Sequence, residues 1–283
     1  MSIYDKRVEE LSSELQQKIT VVENHNILNS RIASEVADML EQKQGQILTV
    51  ICPVGPLDYR YFAREFNARG LSCRNLRTIN MDEYLDNNGK LISDKHPLSF
   101  RKFMEETFFS LLSDDKRPLP ENIIFPDPAN PERVTELIDS IGGADACYAG
   151  FGITGHVAFN DPPEMTGEPK DLESFRNCKT RSVTICPMAL AQMAMGGTNG
   201  NIEIIPPRAV TLGMYEMLKS KQFHLTFMRS WHAGLWRRAL LGPVTSGFPG
   251  SLLQEYSNLK ITMTKLAAEL PLINTAQAKG EEK

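Results

Sequence analysis

The sequence predicts an α/β fold in three layers, a mostly parallel sheet with helices on both faces. Three observations carry the prediction: short β-branched runs recur, stretches of helical spacing separate them, and glycines and prolines punctuate the junctions. With 283 residues, 41% of them hydrophobic, the chain can bury a substantial core as one domain over 1–283.

Taken in order, Val22, Ile27, Ile32, Val36 and Met39 with Leu40 keep roughly helical spacing, so a helical segment is expected over about 5–44. ILTVIC at 47–52 is a strand run, PVG follows it, and LDYRYFAREFNARG carries a helical pattern that stops at Gly70. That strand, loop and helix make one Rossmann-like unit. LRTIN at 76–80 is the next strand and runs into MDEYLDNNGK, which is turn-rich after Leu85. Phe100, Phe103, Met104, Phe108 and Leu111 mark one face of a helix, and a short apolar strand begins at Ile123. ERVTELIDSIGG is helical again, and ADACYAGFGI is an apolar strand that empties into a glycine-rich loop. Further strands are expected at RSVTIC (181–186), FHLTFM (223–228) and LKITM (259–263). The last residues, about 275–283, are polar and expected to fray.

Composition narrows the partners. The formal net charge is -4, from 31 basic and 35 acidic residues, and no basic field of the kind that binds nucleic acid is present. A small-molecule ligand is expected instead. Five cysteines, an odd number without a C-x-x-C pair, read as buried thiols of a reducing compartment. No apolar run approaches the roughly 20 residues that span a bilayer, so no membrane partner and a cytoplasmic location are expected. One histidine among scattered acids does not make a metal site, and none is expected.

In an open parallel sheet, ligands sit beyond the carboxyl ends of the strands. Asp82 and Glu83 follow the strand ending near Asn80, while His156 and Asp161 follow the strand ending near Gly150. A carboxylate and an imidazole on two strand-end loops form a general acid/base pair that burial can tune towards neutral pH. Asp82 alone reads equally well as a turn or cap residue. The glycines at 150, 152 and 155 favour a ligand site, because they allow close approach of the backbone or positive φ.

These residues carry a family resemblance. TINMDEYL, HPLSF and GITGHVAFNDP resemble the motifs of the glucosamine-6-phosphate deaminase/isomerase family, in which the last has the form G-x-D-G-H-[IV]-A-F-N-E-P. NCKTRSVTI and IPPRAVTLGMYEML resemble two further family segments in the same order, so the likeness spans about 45–265. The resemblance implies a cofactor-independent enzyme that opens a pyranose ring, moves a proton between C2 and C1, and expels ammonia. It implies that Asp82 shuttles the carbon-bound proton, that His156 opens the ring and that Asp161 supports His156. Glu83, Gly55, Gly152, Thr154, Gly155, Asn160 and His232 are the substrate-binding positions it implies, and a homo-oligomer is the assembly.

The departures bear on substrate. Thr154 stands where the family motif has an aspartate, so one charged member of an acid, histidine, acid relay is replaced by a hydroxyl. The family's P-T-G-G-T-P-L loop, which cradles phosphate, resembles PVGPL at 53–57, shorter, without Ser or Thr, and with Pro56 removing an N–H donor. After FHLTFM, the family segment G-x-[HQ]-K-A is matched by SWHAG, with His232 kept and Ala233 in the lysine position. Arg60, Arg237 or Arg238 could supply a relocated anion site. The expectation is a divergent amino-sugar-phosphate isomerase or deaminase, acting on an altered or unphosphorylated sugar. The alternatives are a non-catalytic sugar or sugar-phosphate binder on the same fold and a 6-phosphogluconolactonase-like hydrolase.

Overall fold

The computed structural model describes residues 2–168 and 170–272; the polar tail expected over 275–283 lies outside them. In chain order the strands are β1 (Ile19–Val22), β2 (Leu48–Cys52), β3 (Leu76–Asn80), β4 (Asp82–Leu85) and β5 (Ile123–Ile124). They are followed by β6 (Ala146–Ala149), β7 (Arg181–Thr184), β8 (Arg208–Thr211), β9 (Phe223–Phe227) and β10 (Leu259–Thr264). Seven of them form one sheet in the order β1-β10-β9-β6-β2-β3-β5, and every neighbouring pair in it is parallel.

Strand periodicity explains why this sheet is covered on both sides. Leu48, Val50 and Cys52 of β2 join Ala146 and Tyr148 of β6 in one apolar cluster, while Ile51 joins Cys147 and Ala149 in another. Successive side chains of a strand point to opposite faces, so one run feeds two cores. The first core is closed by the helices His25–Gln42, Arg60–Ala68 and Phe100–Thr107, which contribute Ile32, Val36, Phe62, Phe66 and Met104. The second is closed by the helices Glu132–Ser140, Met214–Leu218 and His232–Leu241, through Val134, Ile138, Met217, Trp236 and Leu240. Each such buried side chain contributes roughly 1.5–3 kcal/mol, and the two faces together fix the sheet as the middle layer.

Four strands, β1, β4, β7 and β8, depart from the sequence reading. The segment expected to be helical over 5–44 contains β1, an edge strand paired with β10 in the register Ile19↔Ile261 to Val22↔Thr264. Its I-T-V-V composition is β-branched, and Asn24 then starts the long helix by accepting hydrogen bonds from the N–H groups of Asn26 and Ile27. RSVTIC does not extend the parallel sheet. It supplies β7 to a separate three-stranded antiparallel sheet in the order β4-β8-β7, whose other strands come from MDEYL and PRAVT. This small sheet covers its own apolar cluster, including Tyr84, Phe159, Val183, Ile185 and Ala209.

No helix among the described residues is long and apolar enough to cross a membrane. All five cysteines are free thiols.

Candidate functional site

The carboxyl ends of β2, β3, β6 and β9 converge on one edge. Asp82 is the first residue of β4, two positions past the end of β3, and it pairs with Thr211 of β8. The Thr211 hydroxyl accepts a hydrogen bond from the Phe159 N–H at 3.1 Å. The small antiparallel sheet therefore ties the Asp82 strand to the loop that carries His156. Local sequence makes that tie possible: a bend at Met81, whose N–H donates to the Cys52 carbonyl, turns the chain out of the parallel sheet.

Asp82 is 6% exposed, and burial, with the neighbouring Glu83 charge second, pushes its carboxyl well above the ordinary Asp range. A carboxylate raised in this way is a stronger base once ionised, and such perturbation concentrates at functional sites. Glu83 behaves differently. Its fully buried carboxylate accepts from Tyr84 N, Ser99 Oγ, Phe100 N, Arg101 N and Arg101 Nε at 2.9–3.1 Å. It seats the start of the helix Phe100–Thr107 beside the Ser99 cap, and has no oxygen left for a substrate. The HPLSF motif thus serves to anchor the Asp82 strand, which corrects the substrate-binding expectation for Glu83.

His156 sits in the loop after β6. Its Nδ1 lies 2.8 Å from Asp161 Oδ1 and 2.8 Å from Thr154 Oγ1, and the Thr154 hydroxyl donates to Asp161 Oδ1 at 2.8 Å. The carboxylate also accepts from the Cys186 N–H at 3.4 Å. Burial alone would raise the Asp161 pKa, but the hydrogen bond and charge of His156, with Thr154 and Cys186, hold it down at about 2. An ionised acid at Nδ1 keeps the proton on that nitrogen and leaves Nε2 as the exchanging atom. Thr154 is 6% exposed and belongs to this relay, where its hydroxyl takes up a bond to the carboxylate. It was expected to bind substrate; the structure directs it inward.

Two glycines clear the space. A Cβ on Gly152 would fall 2.0 Å from the His156 ring, and one on Gly155, whose φ is +80°, would fall 2.4 Å from the Phe248 ring. Both act by admitting neighbours, so their expected contact with substrate is not what demands glycine. Asn160 is fully buried, donating to the carbonyls of Val157 and Leu212 and accepting from Arg181. It fixes the loop to β8 and β7 and cannot also hold a ligand.

The other end of the edge is apolar. In PVGPL, Gly55 has φ +111° and is exposed, while Pro56 packs so closely on Gly150 that a Cβ there would lie 2.9 Å away. His232 is 5% exposed, its Nδ1 accepts from the N–H groups of Met228 and Arg229, and it hydrogen-bonds the Phe151 backbone. Burial, assisted by the Arg229 charge, lowers its pKa to about 3, so it is a neutral bracket between two loops. Its expected role as a substrate ligand is not available to it. Ala233 is buried as well.

Of the arginines considered for an anion site, Arg237 is fully buried and donates to the carbonyls of Lys6, Ala233, Ala268 and Glu269. Arg238 lies over the Phe248 ring at 4.3 Å, and Arg60 grips Asp58 at 2.9 and 2.7 Å. Arg229, in the loop after β9, is exposed, takes part in no salt bridge among the described residues and carries no motif in the sequence. Among the described residues, no group of three or more His, Cys, Asp or Glu side chains is arranged to hold a metal ion.

The fold is of the α/β kind shared by sugar-phosphate deaminases and lactonases. No family model matches the chain. The glucosamine-6-phosphate deaminase 1 of Bacillus subtilis is 28% identical over 247 residues, which cover 85% of this chain and 94% of that protein. The glucosamine-6-phosphate deaminase 2 of Giardia intestinalis is 27% identical over 263 residues, or 90% and 92% of the two chains. Among solved structures, a monomeric glucosamine-6-phosphate deaminase superposes with a TM-score of 0.75 at 25% identity, covering 89% of this chain and 99% of its own. The 6-phosphogluconolactonase of Trypanosoma cruzi shares the fold, with a TM-score of 0.64 at 13% identity over 90% and 97% of the chains. Over most of its length the chain is similar to glucosamine-6-phosphate deaminases.

Proposed function

We propose that this protein is a cofactor-independent amino-sugar-phosphate deaminase/isomerase that converts a 2-amino-aldose to the corresponding ketose with release of ammonia. The observation that carries the reading is that the small sheet ties the strand of a buried, raised-pKa Asp82 to the loop carrying a histidine whose Nδ1 is fixed by Asp161.

Each step has a group for it. His156 Nε2 takes the proton of the anomeric hydroxyl and returns one to the ring oxygen, which opens the pyranose to the aldehyde. Asp82 removes the proton from C2 while O1 takes one from water, giving an enediol-like aminoenol, and returns its proton to C1 while the nitrogen gives one up to water, leaving a C2 imine. Water adds to that imine, and ammonia leaves to give the ketose. These are proton transfers between positioned groups, for which general acid/base catalysis supplies roughly 10²–10⁴-fold per group.

Incubation with glucosamine-6-phosphate tests it. Ammonia and a ketose phosphate are expected in equal amounts, at a rate abolished by His156→Gln. A protein that binds the sugar phosphate and releases no ammonia is a binder, and the catalytic reading fails.

A further inference from the structure

Asp82 and His156 account for the reacting carbons, but the anionic end of a sugar phosphate has no cation in the PVGPL loop or at Ala233. The loop between β9 and the helix His232–Leu241 carries Arg229, two residues past the strand end. Its side chain is exposed and takes part in no salt bridge among the described residues. Arg60 and Arg181 are each committed to a carboxylate, of Asp58 and Glu168 respectively, and Arg237 to backbone carbonyls.

The backbone of Arg229 is fixed even though its guanidinium is free. Its N–H donates to His232 Nδ1 at 3.2 Å, and its carbonyl accepts from the His232 N–H at 3.0 Å. His232 in turn holds the backbone of Phe151, where the glycine-rich loop begins, and the charge of Arg229 is felt at that imidazole. Across the edge, a Cβ on Gly150 would lie 2.9 Å from Pro56 of PVGPL and 3.4 Å from the Thr226 carbonyl of β9. The Arg229 backbone is thus linked through His232 to the glycine-rich loop, and that loop through Gly150 to PVGPL, around the ends of β9, β6 and β2. The helix that follows starts without a side-chain cap, so its positive end adds to the same field.

We propose that Arg229 binds the phosphate monoester of the substrate, supplying the charge that PVGPL and Ala233 do not. A guanidinium presents paired N–H groups that match two phosphate oxygens, which a backbone cradle would otherwise have to do. The inference rests on the sugar-phosphate reading above, but its test separates the two. Because Arg229 holds a group remote from the reacting carbons, equally in ground and transition states, its removal should appear in KM and leave kcat largely unchanged.

The experiment measures binding of glucosamine-6-phosphate, glucosamine and inorganic phosphate to the full-length wild type, Arg229→Met and Arg229→Lys by calorimetry. Arg229→Met should weaken glucosamine-6-phosphate roughly tenfold or more and leave glucosamine unchanged, with Arg229→Lys intermediate because it keeps the charge without the fork. Arg60→Met, on a neighbouring surface, should bind as the wild type does. Equal affinity of the wild type and Arg229→Met for the sugar phosphate would overturn the proposal, as would failure of the wild type to prefer the phosphorylated sugar. If binding depends on Arg229 but no ammonia is released, the anion site stands and the deaminase reading falls.

Discussion

The two ends of the ligand edge are built on opposite terms. At the reacting end Thr154, His156 and Asp161 form a closed hydrogen-bonded group with every contact at 2.8 Å, while the Asp82 carboxyl, on the strand tied to the same loop through Thr211, has no side-chain hydrogen bond among the described residues. At the far end, the polar groups are turned away from the edge: Pro56 covers Gly150, His232 is spent on backbone, and Arg229 alone extends into solvent. Chemistry on C1 and C2 needs atoms fixed to fractions of an ångström, which only a saturated network provides. Holding a distant phosphate needs charge more than geometry, so one arginine can take over from a loop of N–H groups.

The largest effect should come from separating the neighbours Asp82 and Glu83, one left for chemistry and one spent on the fold. Asp82→Asn should lower turnover roughly 10²–10⁴-fold. It should not destabilise the protein. A carboxyl whose folded pKa is raised loses stability as pH rises above its unfolded value, so removing the charge should leave the melting temperature equal or higher at pH 7. Glu83→Ala should do the reverse, costing about 3 kcal/mol because it strands buried donors of Tyr84, Ser99, Phe100 and Arg101. Urea denaturation beside a rate assay reads both, and a stable, active Glu83→Ala would break the distinction.

A smaller effect distinguishes the two histidine environments. His232 is held at about 3 against an ordinary 6.5, so between those values the unfolded chain binds a proton that the folded chain does not. Stability from this group is therefore present above pH 6.5 and lost as pH falls, by at most about 1.4 kcal/mol per pH unit. His232→Asn keeps an acceptor for the N–H groups of Met228 and Arg229 but cannot titrate. Between pH 7 and pH 5 the variant should lose less stability than the wild type, by about 1–2 kcal/mol in urea midpoints. Parallel losses would show that His232 is already protonated or solvated in the native state.

How far the sequence carried these conclusions depends on the kind of contact. Parallel strands β2, β3, β6, β9 and β10 were legible because apolar runs buried on both faces leave a local signal. The strand β1 was lost inside a helical period, and β4 and β8 were lost because DEYL and RAVT are short, polar at one end and paired only with each other and β7. The contact of His156 with Asp161 agrees with their spacing in one motif. That Glu83, Asn160 and His232 face inward was not legible, because a polar residue beside a site looks the same in sequence whether its donors are backbone or ligand. The free state of Arg229 is a statement about what lacks a carboxylate nearby in space, and no spacing along the chain encodes it.

Thr154 is the finest test, since it departs from the deaminase motif inside the reacting end itself. Its hydroxyl donates to Asp161 and lies beside His156 Nδ1, so it replaces a second carboxylate by a neutral contact that still orients the first. Thr154→Val preserves shape and removes that contact. Losing one hydrogen bond of about 1 kcal/mol predicts a loss of similar size in stability and about fivefold in kcat. Thr154→Ser should restore both, and KM should hold in either variant, since the hydroxyl touches the relay and not the sugar. A rise in KM with kcat intact would instead place Thr154 against the substrate and undo the inward assignment.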